Sequence, residues 1–309
     1  VIYFEWYPSS SINEDFACAY SKTFVATQLR SYALSILRAD IILLTSFFDG
    51  FKDNTLIDYD SSYNLPPIVS IIYDLIPLIN PANYLDNDQE YKYFYLQKIK
   101  DLKRLDVLLT ISESSKSEIV KYTDFHEDKV FNISASCDNN LFNEEEKNNT
   151  DITINIKDFG QFLLYVGALD PRKNLYSLIK AYSLLPIDLL VNKKLVLVGP
   201  YSQPELILLN QWIDEFILSF QNIIILTFIS DHDLANLYRN CHLFVFPSYH
   251  EGFGLPVLEA MNCGAPVIAS NTTSIPEILS FQCALFDPFS IDQIKELIIK
   301  SYKDIDFYK

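Results

Sequence analysis

In the second half of the chain, wholly apolar runs alternate with helix-like runs, and no other feature constrains the fold as strongly. QFLLYVGAL (161–169) leads to NLYSLIKAYSLL (174–185), and KKLVLVGP (193–200) to PELILLNQWIDEFILSF (204–220). NIIILTFI (222–229) leads to DHDLANLYRNC (231–241), and HLFVFPS (242–248) to LPVLEAMNCG (255–264). APVIAS (265–270), CALFDP (283–288) and IDQIKELIIKSY (291–302) follow. A strand that is apolar at every position is covered on both faces. That calls for a parallel sheet with helices on either side. The expectation is a doubly wound α/β domain whose ligands sit at the carboxyl ends of its strands.

The first half repeats the alternation less regularly. Its strand-like runs are 39–46, 66–75, 106–112 and 129–136; its helix-like runs are 28–37, 88–105 and 113–122, the last with Ser112 as N-cap. The polar, Asn-rich segment 139–158 reads as an interdomain connection with an edge strand. The expected layout is an N-terminal Rossmann-like domain over 1–142, a linker over 143–158 and a C-terminal Rossmann-like domain over 159–309.

A length of 309 residues accommodates two such domains, and 49% hydrophobic content supplies their cores. Lys and Arg number 24 against 40 Asp and Glu, a net charge of −16 with both halves acidic. This excludes a nucleic-acid face and leaves at most peripheral membrane contact. No apolar run reaches the ~18 residues of a membrane span. The five cysteines (18, 137, 241, 263, 283) show no CxxC spacing and read as reduced, buried thiols of a cytoplasmic protein. VIYFEWYPSS at the start lacks the basic region of a signal peptide. It is strand-like with no glycine-rich turn before it. The chain also stops soon after IDQIKELIIKSY. Both observations lead to the expectation that the natural protein continues beyond each end and that the N-terminal domain is incomplete.

Residues 251–259, EGFGLPVLE, carry the clearest chemistry. Pro256 suits a first helical turn, where its missing N–H costs nothing. Gly252 and Gly254 let backbone approach a ligand, and amides at Phe253, Gly254 and Leu255 with the helix dipole make an anion site. Glu259, about one turn inside the helix, points back toward its mouth. Glu251 sits on the other side, in the loop. Two carboxylates flanking an anion site suit a diphosphate with a sugar on each side. An isolated pair of glutamates on a capped helix would be incidental; the surrounding PSY, glycines and AMNCGAPVIAS argue otherwise. Arg172-Lys173, in DPRKN, form either a solvated pair or an anion site. Cations are unfavourable at a helix start unless an anion binds there.

PSYHEGFGLPVLEAMNCGAPVIASNTTSIPEIL resembles, nearly end to end, the signature of the family-4 retaining glycosyltransferases of the GT-B fold (group 1). YVGALDPRKN, LVLVGP and FISDHDLANLY follow the family's order across 160–290. TSFFDGFKDN, IIYDLIPLINPANYL and LLTISESSKSEI resemble a subgroup that builds surface polysaccharides. The resemblance implies two Rossmann-like domains facing a cleft. It also implies retaining, metal-independent transfer of a hexose-type sugar from a nucleotide-diphosphate donor to a glycan or lipid-linked acceptor, without a cofactor. Glu251 would then hold the transferred sugar and Glu259 the ribose. Lys173, with Arg172 beside it, would neutralise the leaving diphosphate. Gly167 and Gly199 would lie close to the donor, and Phe228 and Ile229 beside the nucleobase. Many relatives place an Arg after the glycine at 167; here Ala168 stands there, and Arg172 is the candidate substitute. Many also have His-Asp where this chain has Tyr73-Asp74. Asp74 either serves the acceptor hydroxyl, as ligand or base, or caps its own turn. These departures keep an alternative open, a non-catalytic nucleotide-sugar-binding subunit.

The triplets Asp58/Asp60, Asp86/Asp88 and Asp231/Asp233 imitate metal-binding pairs, but among 40 acidic residues chance occurrences are expected. No metal site is expected, and the four histidines form no ligand pair. Lys98, Lys100, Lys103 and Arg104 on LQKIKDLKRL read as a solvated helix face, with contact to a lipid or lipid diphosphate as the alternative.

Overall fold

The computed structural model describes residues 22–52, 55–145, 153–216 and 223–304. The chain forms two compact units, dividing between Ser134 and Ala135.

In the first unit, helix α1 (Lys22–Ile36) precedes a four-stranded parallel sheet of β1 (Ile42–Leu44), β2 (Ile68–Ile72), β3 (Val107–Thr110) and β4 (Val130–Asn132), in that spatial order. Two helices, α2 (Gln89–Asp101) and α3 (Glu113–Tyr122), lie before and after β3. Each starts at a side chain that accepts a backbone N–H of the first turn. Asp88 accepts from Tyr91 and Ser112 from Ser115, both at 2.9 Å, so the expected Ser112 cap is present. Ile72, Leu108 and Ile119 are fully buried in this unit's core.

The second unit holds six parallel strands: β5 (Gln161–Val166), β6 (Lys193–Val198), β7 (Ile223–Leu226), β8 (Leu243–Phe246), β9 (Val267–Ser270) and β10 (Leu285–Phe286). Their spatial order is β10-β9-β8-β5-β6-β7. This is the Rossmann order, with the chain reversing direction of travel between β5 and β8. Every residue of β8 and β9 is buried, as are Phe162 to Tyr165 of β5 and Leu195 to Val198 of β6. The continuous apolar runs thus have the predicted cause. The helices of eight residues or more here are α4 (Leu175–Ser183), α5 (Gln203–Glu215), α6 (Asp231–Asn240), α7 (Leu255–Asn262) and α8 (Ile291–Ser301).

The polar segment expected as a linker belongs, where described, to the second unit; residues 146–152 lie outside the described ones. Phe142 is buried against the Tyr238 ring, 6.1 Å between centroids. Arg239 donates to the carbonyls of Asn143 (2.7 Å) and Leu141 (2.8 Å). Asp233 accepts from the backbone of Thr153 (2.8 Å) and Ile154 (3.0 Å) and from the Thr153 hydroxyl. Two charged residues of α6 thus give part of that polar backbone its partners, while most of its described side chains stay exposed.

Members of the Asp-x-Asp triplets have partners within the protein. Asp58 pairs with Lys98 and Asp60 accepts from Gln28; Asp86 pairs with Lys92 and Asp88 caps α2. The Ser230 hydroxyl accepts from the Asp233 N–H at the start of α6. The basic stretch is also partly structural rather than a uniformly solvated face. Lys98 is buried, 3.1 Å from Asp58 and over the rings of Phe47 and Phe94. Arg104 lies over the Tyr59 ring and donates to the Tyr59 carbonyl. Lys100 and Lys103 remain exposed. Among the described residues no helix is long and apolar enough to cross a membrane.

Candidate functional site

The site begins at the point where the strand order reverses. In open α/β sheets, ligands bind outside the carboxyl ends of the strands at such a point. The loop after β5 carries Asp170, Arg172 and Lys173; the loop after β8 carries His250 and Glu251. Residues 78 and 79 positions apart in sequence meet as a result. Glu251 accepts from Lys173 Nζ on Oε1 and from Arg172 Nη1 on Oε2, both at 2.7 Å. Its side chain keeps 8% exposure, against 12% for Lys173 and 23% for Arg172. Both carboxylate oxygens therefore hold a charge-assisted bond in a mostly dry setting.

Each partner is itself held. Arg172 Nη1 also donates to the His250 carbonyl at 3.1 Å, its Nε lies 3.5 Å from Asp170, and its backbone N–H donates to Asp170 at 2.9 Å. Lys173 Nζ lies 5.1 Å from the centre of the Phe246 ring, the last residue of β8. Tyr249 donates its N–H to the Arg172 carbonyl at 2.7 Å, joining the two loops by backbone. Asn174, next in line, adopts a left-handed conformation (φ 55°) and is buried. Its amide donates to the carbonyls of Pro247 (3.0 Å) and Pro288 (2.8 Å), tying together the loops after β5, β8 and β10. Residue-by-residue reading did not single out Asn174. Its signal was an Asn at a helix start, a type that tolerates the left-handed region.

Gly254 has φ 113°, and a Cβ there would meet Ile275 Cδ1 at 2.5 Å. Helix α7 begins at Leu255 with Pro256 in its first turn and no side chain capping it at Gly254. Gly252 is buried and Phe253 half-buried in the loop leading to it. On α7, Glu259 is half-buried and accepts from the Tyr238 hydroxyl at 3.2 Å. Burial holds the Glu259 carboxyl above the ordinary range; Tyr238 offsets this in part and Asp231 adds to it.

The other expected donor contacts lie at neighbouring strand ends. Gly167 and Gly199 follow β5 and β6, and a Cβ on Gly199 would come within 2.3 Å of the Gly167 carbonyl oxygen. That close approach of two backbones accounts for Gly199 without a ligand. Phe228, beyond edge strand β7, has φ 54° and is 83% exposed; Ile229 is half-buried against the core. Asp74 belongs to the first unit, where its carboxylate accepts from the Ile76 N–H at 3.0 Å, the turn-capping geometry.

A buried carboxylate thus shares two cations at a switch point, next to a glycine-led helix mouth. The family model for glycosyl transferases group 1 matches residues 146–309, more than half of the chain. The chain belongs to the group 1 glycosyltransferases. Among relatives of this group, a serotype-specific mannosyltransferase, WbdA, of Escherichia coli is 35% identical over 295 residues, covering 94% of this chain and 36% of that protein. The O-antigen chain mannosyltransferase B of the same species is 33% identical, covering 78% of this chain and 63% of that one. The chain thus spans about a third of the first relative's length. Of solved structures, WaaG, a glycosyltransferase involved in lipopolysaccharide biosynthesis, aligns over 96% of this chain and 76% of its own. Its TM-score is 0.67 and its identity 16%. Anabaena HepE, determined with UDP and glucose, aligns over 79% and 64% at TM-score 0.65 and 20% identity. These likenesses establish the GT-B fold.

Proposed function

We propose that this group 1 glycosyltransferase moves a hexose, mannose first among candidates, from a nucleotide diphosphate to a growing surface glycan or lipid-linked acceptor, with retention and without a metal. One observation carries the reading: a buried Glu251 carboxylate with Lys173 on one oxygen and Arg172 on the other. The names of the relatives support mannosyl transfer and polysaccharide acceptors, and a solved neighbour determined with UDP-glucose supports a nucleotide-sugar donor. Free thiols at Cys137, Cys241, Cys263 and Cys283 support a cytoplasmic setting, with membrane contact at most peripheral.

The chemistry follows from the charges. Lys173, Arg172 and the amides at the mouth of α7 offer positive potential to a diphosphate. As the bond between the anomeric carbon and the β-phosphate oxygen breaks, negative charge grows on that oxygen, and these groups stabilise it. The acceptor oxygen bonds the anomeric carbon on the same face, and its proton passes to the departing phosphate oxygen. Glu251 orients the sugar hydroxyls; Glu259 accepts from the ribose. Gly167, Gly199, Phe228 and Ile229 line the rest of the donor. Glu251→Ala and Lys173→Ala are expected to abolish most transfer while circular dichroism stays unchanged, and the product anomer should match the donor. EDTA should leave the rate intact. Full activity in both variants would sink the assignment.

A second reading, donor binding without transfer, is supported by one observation: Asp74 Oδ1 accepts the Ile76 N–H of its own turn. Calorimetric donor binding with no labelled product from any acceptor would establish it.

A further inference from the structure

Residues 271–274 join β9 to a short helical turn, Ile275–Ile278, and run beside the loop that carries Glu251. Asn271 anchors the segment by donating its N–H to the Phe286 carbonyl at 2.7 Å. Three successive hydroxyls then bind the neighbouring loop. Thr272 Oγ1 donates to the Ser248 carbonyl at 3.3 Å. Thr273 Oγ1 accepts the Glu251 N–H at 3.0 Å. Ser274 Oγ, fully buried, lies 3.0 Å from the Glu251 carbonyl and 2.6 Å from that of Phe253, and donates to this pair. Glu251 is therefore gripped through its backbone on both sides of its Cα, which fixes the direction in which its side chain leaves.

Thr273 does this from a costly conformation. Its φ is 49°, in the left-handed region that a β-branched residue rarely enters. Glycine would sit there without strain but offers no acceptor. Where local preference and residue type conflict, the compensating gain is usually functional, and here the gain is the Glu251 amide. We propose that Thr273 is a positioning residue for Glu251, strained so that its hydroxyl can hold that amide, with Ser274 completing the grip. The proposal rests on the reading of Glu251 as the residue that orients the transferred sugar.

The test uses the full chain, a panel of GDP- and UDP-linked hexoses and a mannose-terminated oligosaccharide. Thr273→Gly relieves the backbone and removes the acceptor. Its thermal midpoint should equal or exceed the parent's while kcat falls roughly 10- to 100-fold, more than KM for the donor changes. Thr273→Ser keeps the hydroxyl and should restore kcat to within about threefold. Parental kcat in Thr273→Gly overturns the proposal, as does a lowered midpoint without rescue by Ser. Glu251→Ala separates the two levels. If it is inactive while Thr273→Gly is parental, positioning alone fails. If it transfers normally, or the parent transfers no sugar from the panel, the functional reading falls and this proposal with it.

Discussion

A diphosphate at the mouth of α7 would compete with Glu251 for the same two cations, and this competition can be measured. Glu251→Gln keeps the side-chain shape but removes the charge and turns an amide NH2 toward one cation. The wild-type protein must exchange carboxylate for phosphate at Arg172 and Lys173; the variant gains those phosphate contacts without the exchange. Charge-assisted bonds contribute about 1.5–3 kcal/mol when dry, and exposed ion pairs about 0–1. With 23% and 12% of the two cationic side chains exposed, about 1 kcal/mol per contact is the appropriate discount. Two contacts give about 2 kcal/mol, or roughly 30-fold in affinity. The Gln carbonyl still satisfies one cation, which lowers the expectation to roughly 10- to 30-fold. GDP and UDP should therefore bind Glu251→Gln more tightly by calorimetry, with a steeper loss in salt, while sugar transfer collapses. Equal or weaker diphosphate binding would refute the idea that carboxylate and phosphate share these cations.

Asn174→Ala removes two buried hydrogen bonds and leaves Ala in the left-handed region, so a loss of about 2–4 kcal/mol is expected. It should appear as a lower urea midpoint with unchanged slope. Gly254→Ala forces a Cβ to 2.5 Å from Ile275 Cδ1 at φ 113°; the thermal midpoint should drop, and donor binding by calorimetry should weaken. Glu259 has its carboxyl raised by burial, so the protonated form is favoured in the folded state. Its contribution is full below the ordinary Glu range and is lost as pH rises through the raised value. Glu259→Gln should accordingly raise the thermal midpoint at pH 7, with no gain below pH about 4, while donor affinity falls because the neutral amide is a weaker acceptor for the ribose hydroxyls than the carboxylate.

The sheet of the second unit was readable because its strands are apolar at every position, a pattern with one structural cause. The helix start at Ser112 was readable because capping is local. What stayed hidden depends on contacts between distant segments. The basic stretch on α2 looked like a solvated face because a run of lysines does not reveal that Phe47, Phe94 and Asp58 enclose one of them. The polar segment around 143–158 looked like a linker because its partners, Arg239 and Asp233, lie on α6.

The candidate site shows the same division more sharply. Glu251 and Lys173 were each readable from local chemistry, as a carboxylate at a helix mouth and a cation at a helix start. Their pairing was not, because it requires β5 and β8 to be neighbours, and strand order is not written in any one segment. Thr273 was invisible for a stronger reason: its residue type argues against the conformation it adopts. Only the Glu251 amide, 22 positions away in sequence, makes a threonine there preferable to the glycine that the backbone would choose. A site residue that contradicts its own local preference can be found only after the fold has supplied the partner that compensates it.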